Sequence, residues 1–488
     1  MKTTLVMWWA QRSLKPAQAR PTGTPFCALV LVAGCAVGWL PASWAQTEPA
    51  STHLVALRGG AQIKGLLARE QALEQARGQH MSAGRRAQLV QLQAQANKLR
   101  ALQLARRLGI EPTQVYGGAF VGFAAPLTAA QIDHLRRTPE VESLSADFPL
   151  QAQGKPGGGG GGGSGQTTPW GISRINAAGA ANGGAGVHVF VVDSGIDKDH
   201  PDLAANIADG YAVQACVSAG RFSCSADWDD DQGHGSHVAG TIAALNNGIG
   251  VVGVAPQATL HAVKVLDSRN NTTAAKVAAG LDYVAQRTLA LGTATVANVS
   301  IGGGGSKVGY CDASGYHGSD NYARAFCEAA NAGVVIVVSA GNFGVNARGF
   351  LPSTYDDAVL AISAAWGGPE STGGDWWWDS SNWGNETAAW NPRASAPVAL
   401  GAPGYGIYST TRLENDGGYT SMTGTSMAAP HAAGAAALFL KKFPQGNSYG
   451  AFLDIRQRLL NASTSTAGFT NSSGYPHAEN YLDVTPVR

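Results

Sequence analysis

The sequence predicts a doubly wound α/β domain with a mainly parallel central sheet, preceded by a small α+β unit. Three observations predict it. Residues 187–192, 259–266, 295–301 and 334–339 are near-continuous apolar runs, as parallel strands buried on both faces require. Helical segments over 237–245, 273–287 and 321–331 separate them, so strand and helix alternate. The charge is also divided. Of 34 Lys+Arg and 33 Asp+Glu, residues 1–150 hold 16 and 8, which leaves +8 in the leader and −7 in the body. Opposite fields favour docking of the two parts, and an acidic body argues against nucleic-acid binding.

At 488 residues, with 44% hydrophobic and 14% charged residues and 64 glycines, the chain reads as a loop-rich extracellular protein of more than one unit. Its start resembles an export signal. Lys2, Arg12, Lys15 and Arg20 precede an apolar stretch at 26–40, no acidic residue appears before Glu48, and Ser43-Trp44-Ala45 offers a cleavage site. Residues 1–45 are therefore expected to be a signal peptide. The apolar stretch is short of the roughly 20 residues a membrane span needs. Val32-Ala33-Gly34-Cys35 also fits lipoprotein processing at Cys35, a minor alternative because the apolar run continues past it.

Residues 46–150 read as strand (52–57), helix (66–108, interrupted near Gly78 and Gly84), strand (115–124), helix on a Thr cap (128–137) and strand (141–147). Residues 151–165, with glycine unbroken from Gly157 to Gly163, read as a flexible tether within which a protease would cut. They lack the Lys-Ser/Thr ending of a phosphate loop. Residues 166–488 form the main domain. Outside the leader, Cys216, Cys224, Cys311 and Cys327 are an even set without CxxC spacing, which argues against zinc or redox sites. Local pairs Cys216–Cys224 and Cys311–Cys327 are expected, although four cysteines permit three connectivities.

Three segments carry chemistry. Asp193 follows the apolar run Val187 to Val192, at the carboxyl end of a buried strand where doubly wound sheets place their sites. His234 and His237 stand in Gly233-His234-Gly235-Ser236-His237; the i, i+3 spacing without an intervening Glu does not fit a zincin. His234, between glycines at a helix mouth, is the expected base, and His237 is expected to pack. Ser426 precedes a small-residue helix over 427–440, whose positive end would face developing negative charge. Ala428 stands where a Gly-x-Ser-x-Gly esterase elbow needs glycine.

The order Asp, His, Ser belongs to the subtilisin type. Val191-Val192-Asp193-Ser194-Gly195-Ile196, His234-Gly235-Ser236-His237-Val238-Ala239-Gly240 and Gly424-Thr425-Ser426-Met427-Ala428-Ala429-Pro430-His431 resemble the three active-site blocks of the subtilase family. Ser236 departs from the commoner Thr and keeps its hydroxyl. The resemblance implies a Ser426 nucleophile, a His234 base oriented by Asp193, and an oxyanion donor at Asn342 in Val338-Ser339-Ala340-Gly341-Asn342. It implies that Ser300, Ile301 and Gly302 pair with an extended peptide through backbone groups, which makes specificity broad. Leu245-Asn246-Asn247-Gly248-Ile249-Gly250-Val251 is similar to the family's calcium loop. Gln166, Asp202 and Asn247 side chains, with carbonyls of Leu245, Ile249 and Val251, would supply the all-oxygen shell of a structural Ca²⁺. The leader, clearest from Tyr116 to Ala124, resembles the family's inhibitor propeptide, although its helical part is long and the glycine tether unusual.

The expected protein is thus a secreted, self-processing serine endopeptidase whose partners are polypeptide substrates and its own propeptide. It should be a monomer, with no nucleic acid and no stable membrane association after maturation. Phe343 and Gly344 adjoin the expected primary pocket, and a large apolar or aromatic P1 residue is expected there. Asp227, Asp229, Asp230 and Asp231 read as a solvated loop; raising the His234 pKa or favouring a basic substrate residue is the alternative. Trp376, Trp377, Trp378 and Trp383 fall in an insertion, 367–395, that would either line a cleft or pack as a lobe. An inert binding protein on the same fold and a lipoprotein-tethered maturation protease are the alternatives.

Overall fold

In the body, seven strands lie side by side in the order Asp375–Trp377, Leu360–Gly367, Val334–Ser339, Thr295–Val299, His188–Asp193, Thr259–Lys264 and Ile207–Ala212, and Leu400–Pro403 also pairs with Leu360–Gly367. All pairings are parallel except that of Asp375–Trp377. Val189 to Val192 and Val334 to Val338 are fully buried, as strands covered by helices on both faces must be. Each such Val contributes roughly 1.5–3 kcal/mol by burial. This is a computed structural model that describes residues 50–156, 165–213, 227–367, 374–384 and 397–487. The expected signal peptide with Cys35, the Cys216–Cys224 pair, the run Gly157 to Gly163 and most of the 367–395 insertion lie outside the described residues. The Cys311–Cys327 disulfide is formed. Among the described residues no helix is long and apolar enough to cross a membrane.

The helix Thr425–Lys442 is buried from Thr425 through Leu440. Its Ala-rich composition follows, since small side chains let a helix pass close beneath a sheet. It starts at Thr425, two residues before the expected 427, so Ser426 sits in its first turn. Pro430 inside it has no N–H to give the carbonyl of Ser426 four residues back. The Ser300 hydroxyl donates there instead, at 3.1 Å, which ties the backbone at Ser426 to the segment at Ser300.

In the leader, Ser51–Leu57 lies between Gly122–Leu127 and Val141–Ala146 in an antiparallel sheet, with Gln114–Tyr116 outside. Thr128 and Gln131 form a capping box on the helix Ala129–Arg137. The helical part breaks once, around Gly78 (φ 70°), into Ile63–Ala76 and Ala83–Arg107; Ser82 caps the second helix and Gly84 lies inside it. The strand expected over 115–124 is two strands. Asp282 of the body accepts the N–H groups of Gly117, Gly118 and Ala119 (2.6–3.2 Å) and takes them out of the ladder.

Leader and body meet through further polar contacts. Asn321 donates to the Leu54 and Ser143 carbonyls, and Lys64 to the Asn331 carbonyl. The ion pair Lys98–Asp282 (4.0 Å) follows the overall charge division, whereas Arg324–Glu142 (2.7 Å) runs against it. Docking is thus specified by local hydrogen bonds more than by net charge.

The tether expected from residue 151 does not start there. Pro149–Ala152 and Lys155–Pro156 are strands, because three backbone edges of the body accept them: Pro149–Ala152 lies between Asn271–Thr273 and Ile301–Gly304, and Lys155–Pro156 pairs with Tyr419–Thr423.

Candidate active site

Asp193 ends its strand at the carboxyl edge of the sheet, and His234 opens the helix His234–Ala243 beside it. Asp193 Oδ1 accepts from its neighbour Ser194 N (2.7 Å) and lies 2.8 Å from His234 Nδ1. That contact fixes the ring's face and leaves Nε2 toward the cleft, without a protein partner. Burial disfavours the charged ring. The Asp193 charge, its hydrogen bond and the Asp230 charge outweigh burial, so the His234 pKa is raised above the ordinary imidazole value. His237, one turn on, donates from Nε2 to the Ile407 carbonyl at 2.9 Å, and burial pushes its pKa down to about 3. It is a packed neutral histidine, as expected.

Asp230 was not legible as anything but part of an acidic run. It is only 5% exposed. Its Oδ1 accepts from Ser194 Oγ, Gln232 N and Gly233 N, and its Oδ2 from Ser236 N and Ser236 Oγ (2.7–2.9 Å). One carboxylate therefore joins the turn after Asp193 to the start of the His234 helix. The signal available in the sequence was a carboxylate three residues ahead of a glycine at a helix mouth, a place where unpaired N–H groups collect.

Ser426 Oγ donates to the Ser300 carbonyl at 3.2 Å; proton transfer to His234 Nε2 needs the hydroxyl to turn. Asn342 follows the strand Val334–Ser339. Its Oδ1 accepts from Thr425 N (2.9 Å) and Thr425 Oγ (2.8 Å), whose oxygen accepts in turn from Gly341 N (3.0 Å). With the amide oxygen so bound, the NH₂ must face the cleft. There Asn342 Nδ2 (2.5 Å) and Ser426 N (3.2 Å) both donate to the carbonyl of Gln153. A Cβ on Gly424 (φ 154°) would stand 2.4 Å from that carbonyl oxygen, so this approach needs glycine. The arrangement provides a nucleophile, an oriented base and two donors aimed at one carbonyl, the equipment of acyl transfer.

Ser300, Ile301 and Gly302 form the edge that receives the chain's own segment. Gln153 N donates to Ser300 O (3.1 Å), Ile301 faces Ala152 and Gly302 faces Gln151. The ring of Phe350 lies between Gly302 and Gly341, where a Cβ on either glycine would strike it. Phe343, 65% exposed, stacks at a tilt on Phe350 (centroids 5.5 Å). Of the tryptophans, Trp377 is buried and stacks on His477 (4.2 Å), and Trp376 packs on Trp366. Trp383 stacks on Tyr475. These contacts favour a packed lobe.

The residues expected to hold calcium also come together. Gln166 Nε2 lies 2.6, 3.3 and 3.1 Å from the carbonyls of Leu245, Ile249 and Val251. An NH₂ has two hydrogens, so three carbonyls exceed what it can satisfy. Asp202 Oδ2 accepts from Val251 N (2.9 Å), but its buried Oδ1 has no partner. Burial is the largest influence on Asp202 and raises its pKa. Asn247 Oδ1 accepts from Ile249 N (3.1 Å) at the rim. A surplus of oxygens around one point fits a hard cation, and turning the Gln166 amide over would present Oε1 to it. Among the described residues no three His, Cys, Asp or Glu side chains gather for a metal.

The chain is similar to known proteins over most of its length. The sequence model of the "Subtilase family" matches residues 184–477, and that of "Peptidase inhibitor I9" matches residues 73–153. Subtilisin Savinase of Lederbergia lenta is 37% identical over 319 residues, covering 64% of this chain and 98% of that protein. The thermostable alkaline protease of Halalkalibacterium halodurans is 33% identical over 343 residues, 70% of this chain and 77% of that protein. Among solved structures, the S41 psychrophilic protease superposes with a TM-score of 0.54 at 30% identity, covering 66% of this chain and all of that one.

Proposed function

The chain belongs to the subtilase family and is a serine endopeptidase with an inhibitor-type propeptide; from that premise we propose that Ser426, His234 and Asp193 are its triad and Asn342 its oxyanion donor. The observation that carries the reading is the Gln153 carbonyl, held by Asn342 Nδ2 and Ser426 N. Ser426 Oγ attacks the substrate carbonyl while His234 Nε2 takes its proton. Asp193 keeps the ring in register and stabilises its cation. Asn342 and the Ser426 N–H hold the oxyanion. His234 returns the proton to the leaving amine, and water then cleaves the acyl-enzyme by the same route.

Specificity is broad under this reading, because Ser300–Gly302 grip the substrate by its backbone. The Phe350 ring between Gly302 and Gly341 supports a shorter primary pocket than a large aromatic P1 residue needs. Unbranched side chains of glutamine or methionine length are the better fit, and a P1 library read by mass spectrometry tests this.

Residues 1–45 direct secretion, residues 46–150 are propeptide, and removal of the propeptide together with the adjoining segment to Gln153 frees the cleft. Gln166, Asp202, Asn247 and the carbonyls of Leu245, Ile249 and Val251 hold a structural Ca²⁺, which when bound fastens the segment at Gln166 to the 245–251 loop. Casein hydrolysis by the mature enzyme beside Ser426→Ala tests the proposal. Activity that survives the substitution overturns it.

A further inference from the structure

The geometry points to one bond, Gln153–Gly154, as the place where the chain cuts itself. This rests on Ser426 being the nucleophile and names the substrate that the same site meets first.

Both flanks of the bond are held in extended form. Ahead of it, Ile301 faces Ala152 and Gly302 faces Gln151; behind it, Thr423 faces Lys155 and Met422 faces Pro156. Leu150, 1% exposed, packs over Gly303, and Gln153, 6% exposed, donates from Nε2 to the Gln151 and Gly302 carbonyls (3.0 and 3.2 Å). Four residues on one side and two on the other are thus fixed by the body, and only the bond between them spans the nucleophile. Its carbonyl oxygen accepts from Asn342 Nδ2 and Ser426 N. No other carbonyl of the 149–156 segment accepts from either donor.

The leaving side is equally specific. A Cβ on Gly154 would lie 2.7 Å from His234 Nε2, 2.8 Å from its Cδ2 and 3.3 Å from Met427 Sδ. The imidazole edge therefore lies against the Gly154 α-carbon, one bond from the amide nitrogen that must receive the proton. Any side chain at 154 must push the base away. Glycine follows from that proximity, independently of the run that begins at Gly157.

The step balances with groups already present. The Ser426 Oγ–H proton passes to His234 Nε2 as Oγ bonds to the Gln153 carbonyl carbon. The C–N bond to Gly154 then breaks, and Nε2 gives the proton to the departing nitrogen. Water hydrolyses the ester, leaving a Gln153 carboxylate on the propeptide and a Gly154 amine on the enzyme. Hydrogen bonds to Ser300 and Gly302 are untouched by the cut, so the freed 150–153 end can stay in the cleft as an inhibitor.

The test uses the full chain made by cell-free translation, quenched at intervals and read by intact mass and N-terminal sequencing. Wild type should yield a propeptide fragment ending at Gln153 and a partner beginning Gly-Lys-Pro. Gly154→Val should slow first-order conversion at least ~100-fold, the scale of a 1 Å displacement of a reacting group, while Lys155→Ala stays within about threefold. A thermal melt of each precursor checks that it folds. A propeptide ending elsewhere, or folded Gly154→Val cut at this bond at the wild-type rate, overturns the inference. The reading of Ser426 fails separately, if Ser426→Ala is still cut or still hydrolyses casein.

Discussion

Gln153 and Gln166 stand on either side of the glycine run, and each fills a polar cradle shaped for something else. The Gln153 carbonyl lies where an oxyanion would form; the Gln166 amide lies among carbonyls that would surround a cation. The cradles differ in what holds them together. Asn342 is fixed by Thr425, and the Ser426 N–H by the first turn of a buried helix, so these donors keep their aim without an occupant. The Leu245, Ile249 and Val251 carbonyls belong to a largely exposed loop and converge on the occupant itself. Damage to the first should therefore appear in rate, and damage to the second in stability. Both are engaged in the uncut chain, since Thr167 N also donates to Gly250 O (2.7 Å). The N-terminal dock thus forms before cleavage and does not depend on it.

The sharpest break in the comparison is Ser426→Ala. It should reduce kcat by about 10⁶, the size found on losing the nucleophile of subtilisin itself, leave the melting temperature nearly unchanged and leave the precursor whole. Next is Asn342→Leu in the mature enzyme. A fall of about 10²–10³ in kcat is expected, as for subtilisin's own side-chain donor, with KM little affected. The second cradle should respond the other way. Chelation of calcium should cost about 2.7 kcal/mol relative to calcium at 100 times Kd, read as a lower melting temperature in the mature enzyme and equally in the Ser426→Ala precursor. Asp202→Asn should abolish that response. A chelator effect confined to processed enzyme would show that the dock follows cleavage instead.

The smallest expected effect concerns pH. His234 must be neutral to accept a proton, and its pKa is raised chiefly by Asp193 and further by Asp230 against the opposing effect of burial. Activity should therefore rise with pH through a limb above the ordinary imidazole value. Asp230→Asn removes one of the raising charges, so the limb of kcat/KM should move to lower pH. A purely structural role for Asp230 would lower activity without moving the limb.

Much of this was legible in the sequence, for identifiable reasons. Buried parallel strands are apolar on both faces, so Val334 to Val338 declared itself, and the Thr128 cap did too. Asp193, His234 and Ser426 each sit at a strand or helix end, where composition changes abruptly. What escaped were residues whose meaning depends on a distant partner. Asp230 looked like its solvated neighbours until Ser194 and Ser236 were placed around it. Gly117 and Gly118 looked like strand until Asp282, in the body, took their N–H groups. Gln151 to Pro156 looked like the beginning of a tether, because strand pairing with the edges at Ser300–Gly302 and Met422–Thr423 is long-range and leaves no local pattern.

The central claim is that Ser426 is the nucleophile, activated by His234 and faced by a preorganised oxyanion cradle. Labelling mature enzyme with a fluorophosphonate, followed by peptide mass mapping, tests it most directly. The account predicts one adduct, on Ser426, formed with loss of casein hydrolysis and much more slowly in Asn342→Leu. An adduct on another residue, or casein hydrolysis that persists after Ser426 is fully labelled, would contradict it.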